Sequence, residues 1–186
     1  MKSRGGYNIL LAGKPDPHVT VMPMPEKLYL PLKSKRFAFT DSESNTGCIV
    51  PTWAIKKYGA EPESYFGSII YTGSHDRSIH AVADGITDGA SVDSLVFYSF
   101  AKTHPDIKRS LRIIWKSEVF GAPPIVIPKG LKNSVKEKLS DIFLSMSEDT
   151  QGQKILDGLD VESFHKPRTC EYDSAYEIWK TGNGSK

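Results

Sequence analysis

The sequence predicts an α/β fold with a mainly parallel sheet. From residue 36 onward, segments typical of strands alternate with segments of helical spacing about every 20 residues. Several strand segments run into polar turns rich in helix-capping residues, which mark where the next helices begin. This alternation is typical of helices that cover a parallel sheet. Ligands of such folds bind at the carboxyl ends of the strands.

The predicted elements follow in chain order. A short apolar run at 7–12 precedes a proline-rich stretch that cannot form a helix, where an extended segment centred on 19–21 fits. Strands are predicted at 36–40, 68–72, 90–93 and 111–115. Helices are predicted at 48–58, 62–66, 77–84, 94–103, 131–147 and 149–158. The tail from Thr181 is expected to be disordered.

Composition and charge argue against several classes of protein. Hydrophobic residues make up 39% of the 186 residues and charged residues 25%, as in a soluble globular protein. The net charge of +2 gives too weak a field to indicate a nucleic-acid or anionic-membrane partner. No apolar run is long enough to span a membrane, and the first residues lack the apolar core of a signal peptide. Cys48 and Cys170 lie outside any CxxC motif, so they indicate no structural zinc and only permit a disulfide.

The first candidate site is the polar turn between the strand at 36–40 and the helix that follows it. The N–H groups at a helix start have no partner within the helix, and the helix dipole adds partial positive charge there, so this turn can hold an oxyanion. The side chains of Ser44, Asn45 and Thr46 add further donors. The alternative is that Ser44 or Thr46 only caps the helix, which is the usual role of these residue types.

Two further polar turns follow strands. His75 lies at the strand-to-helix turn after 68–72, and Asp93 and Ser94 lie at the end of the strand at 90–93. A carboxylate in this place can accept the O–H of a protonated ligand such as hydrogen phosphate, which discriminates against fully deprotonated anions such as sulfate. The alternatives are a surface or capping histidine, and an aspartate that only caps the next helix.

The same residues permit a catalytic hypothesis, with Ser44 or Cys48 as nucleophile, His75 as base and Asp93 orienting the histidine. The sequence gives this hypothesis little support, because it has no G-x-S-x-G motif and residues of common types coincide easily by chance. It also has no P-loop, dinucleotide-binding or HExxH motif and no pair of metal ligands at useful spacing. We therefore expect a binding protein with no catalytic residue, cofactor or metal.

Three segments match a known family in letters, order and spacing. They are RFAFTDSESNTG at 36–47, YTGSHD at 71–76, and VADG at 82–85 with DGASVDS at 88–94. Together they resemble the substrate-binding proteins of phosphate, phosphite and phosphonate ABC transporters. Ser117 with GAPPIVI at 121–127 resembles the return crossing of that family, and GQKIL at 152–156 resembles its late helix. The resemblance runs from about residue 30 to about residue 165.

The resemblance implies a type 2 periplasmic-binding-protein fold, with one complete α/β lobe of mainly parallel sheet and part of a second lobe. On this basis 1–30 form part of the first lobe and the crossing segment, and 31–120 form the complete ligand-binding lobe. The segment 121–180 returns to the first lobe with C-terminal helices, and 181–186 form a tail. Much of the N-terminal lobe of the family is expected to be missing from this chain.

The resemblance also implies a ligand and its contacts. The ligand is a small phosphorus oxyanion, and the implied binding residues are Ser44, Asn45, Thr46, His75, Asp93, Ser94 and Tyr7. His75 would donate to the anion, and Asp93 would accept its proton. The aromatic contact falls on Tyr7 if 7–12 is the crossing strand of the family, and it is lost if Pro17 takes that place instead.

The partners implied are the oxyanion, which could be phosphate, phosphite or a phosphonate, and an ABC permease. The implied location is periplasmic, or extracellular and membrane-associated. The alternatives are a ligand-sensing module of a signalling protein with the same fold, and a truncated remnant with weakened binding. An incomplete lobe would also present apolar surface through which two copies could pair as a homodimer.

Overall fold

The computed structural model describes residues 5–13 and 32–183, with 5–13, 182 and 183 described by their backbone alone. Within these ranges the chain divides into two compact units. The larger unit comprises the described residues of Gly5–Phe120 together with the helix that begins at Asp173, and the smaller unit comprises Gly121–Tyr172.

The larger unit contains a five-stranded sheet. Its strands are β1 (Gly5–Gly13), β2 (Arg36–Phe39), β3 (Ser68–Tyr71), β4 (Gly89–Asp93) and β5 (Leu111–Gly121). The strand order is β3-β2-β4-β1-β5. β2 pairs in parallel with both β3 and β4, and β1 pairs with β4 in the antiparallel sense. The predicted α/β fold with a mainly parallel sheet is confirmed.

Helices connect the strands of the larger unit. They are a π-helical turn at Asn45–Ile49 that continues as α1 (Val50–Lys57), then α2 (Pro62–Tyr65), α3 (His75–Ala83), α4 (Ser94–Thr103), α5 (Pro105–Ser110) and finally α8 (Asp173–Asn183). The smaller unit contains α6 (Asn133–Ser145) and α7 (Thr150–Gly158), with short 3-10 turns at Met146–Glu148 and Thr169–Glu171. None of the helices in the described ranges is long and apolar enough to cross a membrane.

β2 is buried on both of its faces. Phe37 and Phe39 point to one side of the sheet and Ala38 to the other, because successive side chains of a strand alternate, and none of the three is more than 1% exposed. Phe37 stacks on Phe66 with ring centroids 4.1 Å apart, in a cluster that Ile178 of α8 also joins. Ala38 packs on the opposite face, in a second cluster with residues of α3 and α4. A strand covered on both faces is typical of the interior of a parallel α/β sheet.

The sequence does not predict α5 and α8. α5 buries no side chain, so it has no apolar periodicity from which a helix could be predicted. α8 packs in the larger unit, and the return of 121–180 to the first lobe stays a prediction. The helix also continues to Asn183, so the expected disorder from Thr181 is wrong for 181–183.

Other predicted boundaries differ only in extent. β5 reaches Gly121 and is longer than the strand predicted at 111–115. The extended segment predicted at 19–21 lies outside the described residues. The assignment of the two units to lobes of a clamp stays a prediction.

Gly47 lies where the end of β2 meets the first helical turn. A Cβ at this position would overlap Thr40 Oγ1 and would lie 2.8 Å from both Thr40 Cβ and Ser44 Oγ. The same two segments are joined by a hydrogen bond from Thr40 N to Gly47 O, at 3.3 Å. A side chain at position 47 must therefore push the turn away from the strand.

We expect Gly47→Ala to destabilise the protein by about 1–3 kcal/mol, the usual cost of overpacking a close contact. Urea denaturation followed by circular dichroism measures this change. Gly130→Ala is the matched control, because a Cβ at Gly130 meets nothing within 4 Å, and it should change the unfolding free energy by less than about 0.5 kcal/mol. Equal stabilities of the two variants would contradict the contact at Gly47.

Candidate functional site

Three helices begin at the same edge of the sheet. Phe39 pairs with Tyr71, and Ala38 pairs with Ala90, so the carboxyl ends of β2, β3 and β4 lie side by side. Each of these strands is followed by a helix start, at Asn45, His75 and Ser94. The predicted site residues after position 40 therefore come from neighbouring turns.

Ser44 caps the first of these helices. Its Oγ accepts a hydrogen bond from Gly47 N at 3.1 Å, and its carbonyl accepts from both Cys48 N and Ile49 N at 3.0 Å. The bond from Ile49 N makes the first turn π-helical, which is wider than an α-helical turn. The helical conformation therefore begins at Asn45 rather than at the predicted Cys48. The cap uses Ser44 Oγ as an acceptor, which leaves the hydroxyl proton available for a ligand.

The turn is fixed to β4 through Thr46. Thr46 is buried, and its carbonyl accepts a hydrogen bond from Ser91 Oγ at 2.7 Å. Ser91 is fully buried in β4, two residues before Asp93. Ser91 is not among the predicted site residues, although a serine within a buried strand is a signal that it has a hydrogen-bond partner. The side chain of Asn45 is half-buried at the start of the same turn.

A network of side chains shapes the turn before α3. Gly73 has a φ of +80°, a left-handed conformation that favours glycine, and its N–H donates to Thr40 O at 2.8 Å. Ser74 caps α3 by accepting from Arg77 N at 3.3 Å. The Thr72 and Ser78 hydroxyls are 2.6 Å apart and share a hydrogen bond. These contacts hold the turn so that His75 becomes the first residue of the helix.

His75 is held in one tautomer. Its Nδ1 accepts a hydrogen bond from the backbone N–H of Asp93 at 3.1 Å, so a neutral ring carries its proton on Nε2. Burial lowers the pKa of His75, against the opposing effects of the Asp93 and Asp76 carboxylates. His75 is therefore a neutral donor through Nε2.

Asp93 caps α4 as well as touching His75 through its backbone. Its Oδ1 accepts from Leu95 N at 2.8 Å, and this bond engages one of the two carboxylate oxygens. Ser94, the first residue of α4, is only 1% exposed. The structure thus brings the starts of α3 and α4 into direct contact at His75 and Asp93.

The geometry does not support the catalytic hypothesis. In a catalytic triad the acid accepts from the histidine Nδ1–H, whereas here Nδ1 is itself the acceptor and the protonated Nε2 cannot act as a base. Cys48 is buried, and burial raises the pKa of its thiol, which is the reverse of what an activated nucleophile requires.

The aromatic contact predicted at Tyr7 is not tested. Tyr7 lies in β1, one residue before Asn8, whose backbone pairs with Asp93. The Tyr7 side chain and the competing Pro17 lie outside what the structure describes. Within the described ranges, no group of three or more His, Cys, Asp or Glu residues is placed to hold a metal ion.

Known proteins of similar structure share this fold. The binding-protein component of an ABC phosphonate transporter from Pseudomonas aeruginosa matches with a TM-score of 0.84 and 24% identity, over 97% of this chain and 58% of that one. PhnD1 from Prochlorococcus marinus (MIT 9301), solved in complex with methylphosphonate, matches with a TM-score of 0.80 and 20% identity, over 97% of this chain and 68% of that one. These are type 2 periplasmic-binding-protein folds, as the sequence predicts.

Sequence comparison gives the same result. A curated relative, the probable ABC transporter phosphite binding protein PhnD1 of Prochlorococcus marinus (strain MIT 9301), is 25% identical over 158 residues, which are 82% of this chain and 53% of the relative. The chain spans about half the length of the curated relatives it matches. The model of one family matches residues 24–172, which is most of the chain. The chain therefore belongs to the family of periplasmic substrate-binding proteins of phosphonate ABC transporters.

Proposed function

We propose that this chain is the ligand-binding part of the solute-binding component of an ABC transporter, and that it binds phosphate, phosphite or a phosphonate. The observation that carries the proposal is the hydrogen bond from the Asp93 N–H to His75 Nδ1. This bond leaves a neutral imidazole with an Nε2–H donor at the edge where three helices begin. A fixed donor beside helix N-termini suits an oxyanion.

The turn after β2 supplies the other donors. The hydroxyl proton of Ser44 is not used by the cap, and the helix dipole favours negative charge at Asn45 and Thr46. The hydrogen bond between Ser91 Oγ and Thr46 O keeps this turn beside the end of β4. An anion held at the turn would therefore lie near the strand end that carries Asp93 and Ser94.

Asp93 supplies the selectivity in this proposal. A carboxylate repels a fully ionised anion, but it can accept a hydrogen bond from a ligand that keeps a proton on one oxygen. Leu95 N donates to Asp93 Oδ1, and the second carboxylate oxygen would accept a hydrogen bond from the ligand O–H. Hydrogen phosphate, phosphite and phosphonates can offer such a proton near neutral pH, and sulfate cannot.

The relatives support a phosphorus oxyanion as the class of ligand but do not indicate which oxyanion this chain binds. One is named for phosphite, and another was solved with methylphosphonate. By the same argument we propose an ABC permease as partner and a periplasmic or extracellular membrane-associated location. The expected homodimer also stays a proposal, for which the apolar side chains of Ile125, Val126 and Ile127, between 43% and 81% exposed, would provide surface.

Isothermal titration of the 186-residue chain tests the ligand class. Phosphate, phosphite and methylphosphonate should bind saturably, and sulfate should bind at least about tenfold more weakly. His75→Ala and Asp93→Asn should each weaken binding by about tenfold or more, because the first removes a donor to the anion and the second replaces a charge-assisted hydrogen bond by a weaker neutral one.

Two variants serve as matched controls for this titration. His80→Ala changes a histidine at the other end of α3. Asp149→Asn changes an aspartate that caps α7 with the same kind of bonds to Gln151 N and Gly152 N. Both should bind like the unchanged chain. Sulfate binding as tight as phosphate binding, or an unaltered affinity in both site variants, would refute the proposal.

The pH dependence of affinity tests the role of Asp93 separately. If Asp93 accepts the ligand proton, affinity for methylphosphonate should fall as rising pH removes the last O–H of that ligand, whereas phosphate keeps one O–H as hydrogen phosphate and should lose less affinity. Asp93→Asn should flatten this dependence, because an amide can donate to the deprotonated oxygen. An affinity that rises with pH in the unchanged chain would count against this role.

The neutral state of His75 should appear in the stability of the protein. Its pKa in the folded state lies below the ordinary value of 6.5, so below that pH the unfolded chain takes up a proton that the folded chain does not. Stability should therefore fall as pH decreases from about 6.5 toward the folded pKa, by at most about 1.4 kcal/mol per pH unit from this group. Urea denaturation at pH 7.5, 6.5 and 5.5 measures this.

His75→Asn should show a shallower loss of stability over the same pH range. A slope that is the same with and without His75 would show that this histidine does not stay neutral on folding.

A further inference from the structure

The Thr40 hydroxyl is buried and, within the described ranges, unpartnered. The residue directly follows β2 and is 3% exposed, and its Oγ1 has no hydrogen-bond partner among the described residues. Its backbone is fully used, since its N–H donates to Gly47 O and its carbonyl accepts from Gly73 N. A buried hydroxyl with no partner costs stability and needs a physical explanation.

This hydroxyl lies against the proposed oxyanion turn. A Cβ at Gly47 would overlap Thr40 Oγ1 and lie 2.8 Å from Ser44 Oγ, so both hydroxyl groups lie on the same side of Gly47. The turn opens a helix that continues to Lys57, with its N–H groups directed away from the helix body. An unpartnered polar group is thus aimed at the start of that helix.

The Ser44 hydroxyl oxygen can accept one further hydrogen bond, which the Thr40 hydroxyl can donate. Ser44 Oγ accepts from Gly47 N, and a hydroxyl oxygen can accept a second bond while donating its own proton. If a neighbouring donor occupies the second lone pair, the Ser44 proton is left to point outward. Bonds in such a chain also strengthen one another, most of all when the last acceptor is charged.

We infer that Thr40 is a positioning residue for the oxyanion, whose hydroxyl donates to Ser44 Oγ when the anion is bound and directs the Ser44 proton onto it. The inference rests on the proposed function. It explains why a threonine whose hydroxyl has no partner among the described residues lies directly beneath the turn. Thr40 does not touch the ligand in this arrangement and acts only through Ser44.

Isosteric substitution separates this role from a structural one. Thr40→Val keeps the shape of the side chain and removes the hydroxyl, so it should leave the unfolding midpoint unchanged or raise it, because no hydrogen bond is lost in the free protein. The same variant should bind phosphate or methylphosphonate about five- to tenfold more weakly. Thr40→Ser keeps the hydroxyl and should bind within about twofold of the unchanged chain.

Thr87 provides the matched control. It is 2% exposed, its Oγ1 also has no partner in the described part of the chain, and it precedes β4 at the opposite edge of the sheet. Thr87→Val should alter stability much as Thr40→Val does and leave affinity unchanged. Titration calorimetry measures the affinity of all three variants, and urea denaturation measures their stability.

A double-mutant cycle tests whether Thr40 acts through Ser44. In a Ser44→Ala background, Thr40→Val should weaken binding no further. The inference is overturned if Thr40→Val binds like the unchanged chain, if Thr87→Val loses as much affinity, or if the loss is the same with and without Ser44. Absence of oxyanion binding by the unchanged chain would instead overturn the proposed function, and the inference with it.

Discussion

The candidate site depends on one hydrogen bond, from the backbone N–H of Asp93 to His75 Nδ1. It joins the starts of α3 and α4, and it decides which ring nitrogen carries the proton. A histidine in this place without that bond could adopt either tautomer, and a base would be as reasonable a role as a donor. The bond forms because β3 and β4 both run parallel to β2, which brings the residues after each strand to one edge of the sheet.

Capping and anion binding are compatible at the three turns, although the sequence presents them as alternatives. Ser44, Ser74 and Asp93 each cap a helix through an oxygen that accepts from a backbone N–H. An oxyanion needs the opposite property, a donor, and under the proposed function the Ser44 proton and His75 Nε2–H would provide it without breaking a cap. The same side chains can therefore stabilise the helix starts and offer donors to a ligand.

Local patterns predict most of the fold and the turns that meet at the candidate site, but not the hydrogen bonds that join those turns. The alternation of Phe37, Ala38 and Phe39 indicates a buried strand, and the polar residues at Ser44, His75 and Asp93 indicate helix starts. Partners depend instead on the register of the sheet, which residue spacing does not determine. Three contacts depend on register in this way. They are the hydrogen bond of Ser91 to Thr46, the hydrogen bond of Asp93 to His75, and the close approach of Thr40 to Gly47. α5 escapes prediction because none of its side chains is fully buried, whereas α8 carries Ala175 and Ile178 at helical spacing, a signal that could have predicted it.

The burial of β2 on both faces also bears on how a ligand would be captured. The strand that leads into the turn at Ser44 is covered by apolar clusters on both faces, so we expect its amide hydrogens to exchange with solvent only when the larger unit as a whole opens. The turn is thus anchored to a strand that the core holds in place. Capture would then draw little on the conformational entropy of this segment, and the heat of binding would mainly reflect desolvation and hydrogen bonds at the anion itself.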